Sequence, residues 1–465
     1  MANSSNTAFR TLDHHRLRSA ALCLALQRRF EELRSRDYPD EGAGEALELL
    51  GKLLVIVRKR IEGLTDERTL VMTSRAIVEL GETLKYFDNA GTDQTPRGLV
   101  CLLRSLYERL NRQSKFLAWP QADYNFTIRS LIETLKVLFR HLGADAEVSE
   151  VFAEYTGPHY LVSFPRVERD NVSMLAIFGH ELGHEIANDF LQKEGGSSER
   201  QARETQARLD ILQALGGKPS LTDLHEAMQE VFQLRERALE ELISDMVGVY
   251  LFGPSAIFAG YEIFMWNNLN AIPSDQNGGY PPGRMRIRVS MEAAEREGYI
   301  GVMRDMAADP SIGTTVSYAT LLFEHLENLV QDKSDEQQIA TSNAARIAYD
   351  WVAATLPSAQ AFARNAVGQA LYGESTIRSE VPGLVKRLKQ GLPPNEIGNS
   401  IDPTAVDERS SVLAGWLVSL EASQASADTG QAIADLGRLN EKALRGLEYV
   451  VLQRRYRLGT RGTAE

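Results

Sequence analysis

Two histidines four residues apart flank an acidic residue in His180-Glu181-Leu182-Gly183-His184. On a helix, positions i and i+4 share a face, so both imidazoles can bind one ion. Neutral imidazole suits zinc, which lowers the pKa of a bound water to about 7 and so makes hydroxide available at neutral pH. Glu181 stands one residue along, where it can take the proton of that water and pass it to a leaving amine. With 8 His and 63 Asp+Glu in 465 residues, chance yields such a pattern about 0.02 times per chain. A third ligand is still required. A histidine six residues after His184, preceded by a glycine three after it, is one route, but those places hold Phe190 and Ala187. A glutamate from a later helix is the other, and Glu241 with Asp245 repeats the i, i+4 spacing on one face. There Glu241 completes the ligand set, while Asp245 orients a histidine through its other ring nitrogen. Glu236 and Glu240 are rival ligands, and Glu241 is preferred because it is four residues from Asp245. His14, His15, His141, His225 and His325 stand alone in the sequence and read as structural.

These two stretches resemble the gluzincin metallopeptidases, whose active helix carries His-Glu-x-x-His and whose second helix carries Glu-x-x-x-Asp. Glu241-Leu242-Ile243-Ser244-Asp245-Met246-Val247-Gly248 is similar to the thermolysin-like form of the second helix. Tyr280-Pro281-Pro282-Gly283-Arg284-Met285-Arg286-Ile287 looks like the His-Pro-x-x-x-x-Arg-Ile segment of Ste24-type peptidases. The resemblance implies one zinc ion per chain on His180, His184 and Glu241, with Glu181 as general base and Asp245 behind a histidine. It also implies that Arg286 contacts the substrate carbonyl oxygen or braces the site. Tyr280 replaces the family's histidine, and a phenol can also donate to an oxyanion. Glu185 follows the second histidine where the family has an uncharged residue. The 56 residues between His184 and Glu241 suit Ste24-type spacing better than thermolysin's. The resemblance covers roughly Val151–Ile287.

The elements that must position these residues are mostly helical. Leu12–Arg36, Ala46–Ile61, Asp66–Phe87, Arg97–Phe116 and Phe126–Leu142 carry apolar residues at three- and four-residue spacing, which predicts an N-terminal helical bundle. Glu147–Tyr155 and Tyr160–Phe164 are the most strand-like runs, joined by a Thr156-Gly157-Pro158 turn. Pro165 ends the second run and suggests an edge strand. By the resemblance, that edge pairs with an extended peptide substrate, with His159 and Tyr160 at its start. A long helix, Asn171–Leu191, carries the histidines, a charged helix runs to about Leu215, and a third extends from Leu221 past Val249. A Gly216-Gly217-Lys218-Pro219 break separates the last two. The expected fold is mainly α with a small β element (α+β), a zincin-like core flanked by helical domains. Its divisions are a helical domain at 1–145, the core at 146–300, a helical region at 301–390, and C-terminal helices at 391–465. The last follows the proline-rich linker Gly391–Pro403.

Composition narrows the function. A net charge of −12 argues against general nucleic-acid binding, and the basic end Arg454, Arg455, Arg457, Arg461 reads as a solvated helix face. Cys23 and Cys101 cannot supply a secreted disulfide framework. No signal peptide is legible, since Met1–Ala8 is polar and Ala20–Leu26 is short and flanked by arginines. From Met246 to Trp266 the only charge is Glu262, yet Gly253-Pro254 breaks the run, which predicts two buried helices and no membrane span. The expectation is a cytoplasmic zinc peptidase acting on a peptide or protein substrate, its access gated by helical flanks that can also bind a protein partner. The alternatives are a metal-binding, catalytically idle scaffold, against which the presence of Glu181 argues, and a helical adaptor with an incidental motif.

Overall fold

Helical periodicity is realised along most of the chain, and the fold is mainly α with a small β element. The computed structural model describes all residues except 1–3, 64–65, 140–145, 156, 217–218, 266–268, 275–277, 399–403, 426–428 and 462–465. His141, Thr156, Gly217, Lys218, Trp266 and the last five residues of the Gly391–Pro403 linker therefore lie outside the described residues. Two compact units divide the chain, Met1–Arg169 and Asp170–Glu465. Residues 146–169 thus group with the N-terminal helices, whereas 301–465 group with the helices that carry the histidines.

The first unit contains α1 (Ser4–Arg34), α2 (Gly42–Gly63), α3 (Glu67–Asp88), α4 (Arg97–Arg109), β1 (Lys115–Gln121), β2 (Thr127–Ser130), α5 (Leu131–Phe139), α6 (Ala146–Glu154) and β3 (His159–Pro165). Leu47, Leu50, Leu53 and Val57 of α2 meet Leu70, Ile77, Leu80 and Phe87 of α3 in one buried cluster. Asp66 caps α3 by accepting a hydrogen bond from the Thr69 N–H at 2.8 Å.

Four sequence expectations change here. The Glu147–Tyr155 run is helical as far as Glu154 and forms no strand. Val148, Val151 and Phe152 recur at three- and four-residue spacing and face the same cluster, so packing overrides their β propensity. The Arg97–Phe116 run is helical only to Arg109. Asn111 then takes a positive φ of 54°, which Asn tolerates better than most residues, and the chain enters β1. The Phe126–Leu142 run likewise begins as β2 before α5. Finally, β3 is no edge: it is the central strand, parallel to β1 and antiparallel to β2. Pro165 sits at its last paired position, where a missing N–H costs little. With both sides of β3 occupied, it has no free edge for a peptide. Its first residues belong to local packing. His159 is 2 % exposed, its Nε2 2.9 Å from Glu45 Oε2, its ring stacked 4.1 Å from that of Tyr155. Tyr160 packs against Tyr107.

The second unit begins with a 3-10 turn, Val172–Ala176, then α7 (Ile177–Gly195), α8 (Ser198–Leu215), α9 (Leu221–Phe252) and α10 (Pro254–Met265). It continues with α11 (Gly283–Arg296), α12 (Tyr299–Ala307), α13 (Gly313–Gln331), α14 (Ser334–Ile339), α15 (Asn343–Val367) and α16 (Glu374–Lys389). The short pair β4 (Glu396–Ile397) and β5 (Thr404–Ala405) precedes α17 (Glu408–Ala425) and α18 (Thr429–Arg461). Ser220 and Asp223 form a reciprocal capping box at the start of α9. Gly253, with φ 56°, ends α9, and Pro254 opens α10, where its missing N–H is harmless. No described helix is long and apolar enough to cross a membrane.

Arg409, 3 % exposed, ties the C-terminal helices to the end of α9. It grips Asp407 at 2.6 and 2.9 Å and donates to the Leu251 carbonyl at 3.2 Å. Arg454, from the basic end of α18, donates to the Val406 carbonyl at 2.8 Å and pairs with buried Glu408. It is therefore partly a structural residue, not only a solvated one. Both cysteines are free, and burial pushes the Cys23 thiol up to about 11, which suits a packing role.

Candidate metal centre

Helices α7 and α9 approach closely because glycines line their crossing. A Cβ on Gly183 would lie 2.4 Å from Ser244 Cα and 2.8 Å from Ser244 O. One on Gly179 would lie 3.1 Å from Gly248 Cα. Missing side chains thus let the backbones come together, and the histidine face of α7 is laid against Glu240, Glu241 and Asp245 of α9. Leu242, Ile243, Met246 and Val247 are completely buried around them, so the polar face is backed by a packed apolar wall.

The crossing brings together His180, Glu181, His184, Glu240, Glu241, Asp245 and, from α11, Arg286. Ligating atoms of His180, Glu181 and His184 all lie within 4.8 Å of one another. His180 Nδ1 is 2.8 Å from Asp245 Oδ1 and 3.4 Å from Arg286 Nη2; in the tautomer whose Nδ1 proton turns to the carboxylate, Nε2 keeps its lone pair. That Nε2 faces Glu241 Oε2 at 3.5 Å. In that tautomer both atoms are acceptors, an arrangement a cation can bridge. Two ligands at about 2.0–2.2 Å from a tetrahedral zinc stand roughly 3.4 Å apart, so the separation fits the ion. The charge fits as well. Among the described residues, Glu240, Glu241 and Asp245 meet two guanidiniums, Arg237 and Arg286, so carboxylates outnumber arginines at the crossing.

A carboxylate also stands behind the second histidine. Glu240 Oε1 is 3.0 Å from His184 Nδ1, an ion-pair contact outside the aligned hydrogen-bond direction. His184 draws Glu240 down to about 2 against the opposing effect of burial, with help from Arg237. Burial lowers the His184 pKa, but Glu240 and the nearby Glu181 and Glu241 outweigh it, for a net rise. Burial would push Asp245 up, yet Arg286 and His180 hold it at about 2. Burial dominates at Glu181 and raises it, despite the pull of both imidazoles.

Arg286 is a brace. Its Nε and Nη2 donate to the two Asp245 oxygens at 2.7 and 2.8 Å, and its Nη1 lies 3.0 Å from Glu241 Oε2. Tyr280 lies at the exposed rim, its ring 4.1 Å from the Arg237 guanidinium carbon. Glu236, the other rival ligand, pairs with Arg200 at 2.8 Å. His225 is on α9 far before Glu241, and His325 meets the Tyr261 hydroxyl at 3.0 Å. Sequence reasoning missed Arg237 and the partnership of Glu240 with His184. The available signal was the Arg237-x-x-Glu240-Glu241 spacing, which places both acids one turn from the arginine.

Comparison with protein-family models, curated proteins and solved structures finds no match for this chain.

If Asp245 and Glu240 orient the imidazoles, Asp245→Asn and Glu240→Gln are each expected to weaken zinc binding about 10- to 100-fold. Competition against a chelating dye measures this, and wild-type affinity in both variants would remove the two carboxylates from the centre.

Proposed function

We propose that this protein is a zinc-dependent metallopeptidase that hydrolyses peptide bonds in a peptide or protein substrate. The convergence of His180, Glu181 and His184, with ligating atoms inside 4.8 Å, carries this reading. His180, His184 and Glu241 are the residues to hold one zinc ion per chain. Zinc, when bound, supplies Lewis acidity toward water and toward the substrate carbonyl. Asp245 and Glu240 hold the imidazoles in place, and Arg286 fixes Asp245 and Glu241 from the other side. Glu181 takes a proton from the attacking water and delivers it to the departing amine, so that water and one peptide bond become a carboxyl and an amine. Helices outside the centre are proposed to restrict which segments reach it.

A second reading has its own observation. Both Glu241 oxygens already face guanidiniums, Oε1 with Arg237 at 3.1 Å and Oε2 with Arg286 at 3.0 Å. A metal-binding scaffold without turnover, or a self-contained ion-pair network, is built in the same way.

Elemental analysis of wild type and His184→Ala, run beside cleavage of a panel of denatured proteins, separates these readings. The peptidase predicts one zinc per chain in wild type, zinc loss in His184→Ala, and cleavage by wild type alone. Zinc without cleavage of any substrate favours the scaffold. A metal-free wild type after growth and dialysis with zinc leaves only the ion-pair network.

A further inference from the structure

Arg237 lies on α9, one turn before Glu240 and Glu241, and touches both. Its Nη1 is 2.8 Å from Glu240 Oε2 and its Nη2 is 3.1 Å from Glu241 Oε1. Glu240 in turn faces His184 Nδ1, and Glu241 faces His180 Nε2. One guanidinium thus links the two imidazoles through two carboxylates. With Arg286 on Oε2, it also fixes the plane in which Glu241 presents that oxygen to His180. The arginine is itself held in place. Gly278 and Gly279 both take positive φ (66° and 72°), and this turn brings Tyr280 over the guanidinium. A Cβ added to Gly279 would lie 3.7 Å from Arg237 Cβ, so the turn rests on the arginine's stem. A surface ion pair of this kind would count for little; a planar fork shared between a proposed ligand, Glu241, and the carboxylate behind His184 does not act as a surface pair.

We propose that Arg237 is a positioning residue for the metal ligands, and that Tyr280 serves the centre through its ring, by stacking on Arg237, and not through its hydroxyl. This rests on the metal-site reading above. It deepens that reading by assigning the rim of the centre to ligand preorganisation. The role assigned to Tyr280 then lies in its ring and not in proton donation.

The test uses the full chain as wild type, Arg237→Ala, Arg237→Lys, Tyr280→Phe and Tyr280→Ala. Zinc affinity is measured by dye competition, and the visible spectrum is recorded with Co2+ in place of zinc. Arg237→Ala is expected to bind zinc about 10- to 100-fold more weakly, with an altered cobalt spectrum and a wild-type helical circular dichroism spectrum. Arg237→Lys restores little, because a point charge cannot hold two carboxylates. Tyr280→Phe binds like wild type, and Tyr280→Ala binds roughly two- to fivefold more weakly, the size of an exposed cation–π contact. Wild-type affinity and spectrum in Arg237→Ala, or equal losses in both Tyr280 variants, overturns the proposal while leaving the metal reading intact. A wild-type chain that binds neither zinc nor cobalt overturns both.

Discussion

Substituting glutamine for Glu181 is expected to leave one zinc per chain and to lower peptide hydrolysis by about 10²- to 10⁴-fold, the usual contribution of a positioned general base. Glutamine keeps the shape and length of the side chain but cannot accept a proton on its amide nitrogen. Burial raises the basicity of Glu181 in the metal-free cluster, whereas a bound divalent cation opposes that rise. The substitution also decides a question of geometry. Glu181 belongs to the tight group with both histidines, so it can be read as base or as third ligand. Zinc content of the variant by elemental analysis and its kcat on a fluorogenic peptide, measured together, distinguish the two. Metal retained with activity lost assigns the base. Metal lost along with activity makes Glu181 a ligand and returns Glu241 to its arginines. Metal and activity both retained removes Glu181 from the chemistry.

What the sequence made legible was local. His180 and His184, and likewise Glu241 and Asp245, are pairs within one helix, and i, i+4 geometry needs no tertiary knowledge. The break at Gly253-Pro254 was equally readable, because both residues act on their own backbone. Choices that depended on distant partners were not. Glu240 and Glu241 are neighbours about 100° apart around α9, and nothing local reveals that each faces a different histidine. Nothing local to Arg237 shows the two carboxylates and the aromatic ring that the fold places around it. Val151 and Phe152 favour strands in isolation, but the apolar cluster they pack against took them as a helix. The central position of β3 likewise depended on β1, more than 30 residues earlier, whose first two residues, Lys115 and Phe116, fall at the end of a run with helical periodicity.

Gly183→Ala is expected to destabilise the chain by about 3 kcal/mol, the upper end of the usual cost of overpacking. That corresponds to a fall of roughly 6 °C in Tm for a unit of this size. The reason lies in what the new methyl group would meet. Its contacts at 2.4 and 2.8 Å are with Ser244 Cα and the Ser244 carbonyl oxygen. A side chain could rotate aside, but backbone in the middle of a buried helix can yield only if α7 and α9 separate. Separation pulls His180 and His184 away from Glu241, so zinc affinity is expected to fall together with Tm. Gly195→Ala provides the control, because it lies in the last turn of the same helix and its Cβ would have nothing within 4 Å. That variant is expected to be neutral or slightly stabilised, by up to about 1 kcal/mol of helix propensity. Thermal unfolding and dye competition on the two variants test the argument. Equal Tm and equal zinc affinity in both would mean that the glycine crossing does not hold the centre together. A loss confined to Gly183→Ala makes that crossing the feature that joins two helical sequence motifs into one site.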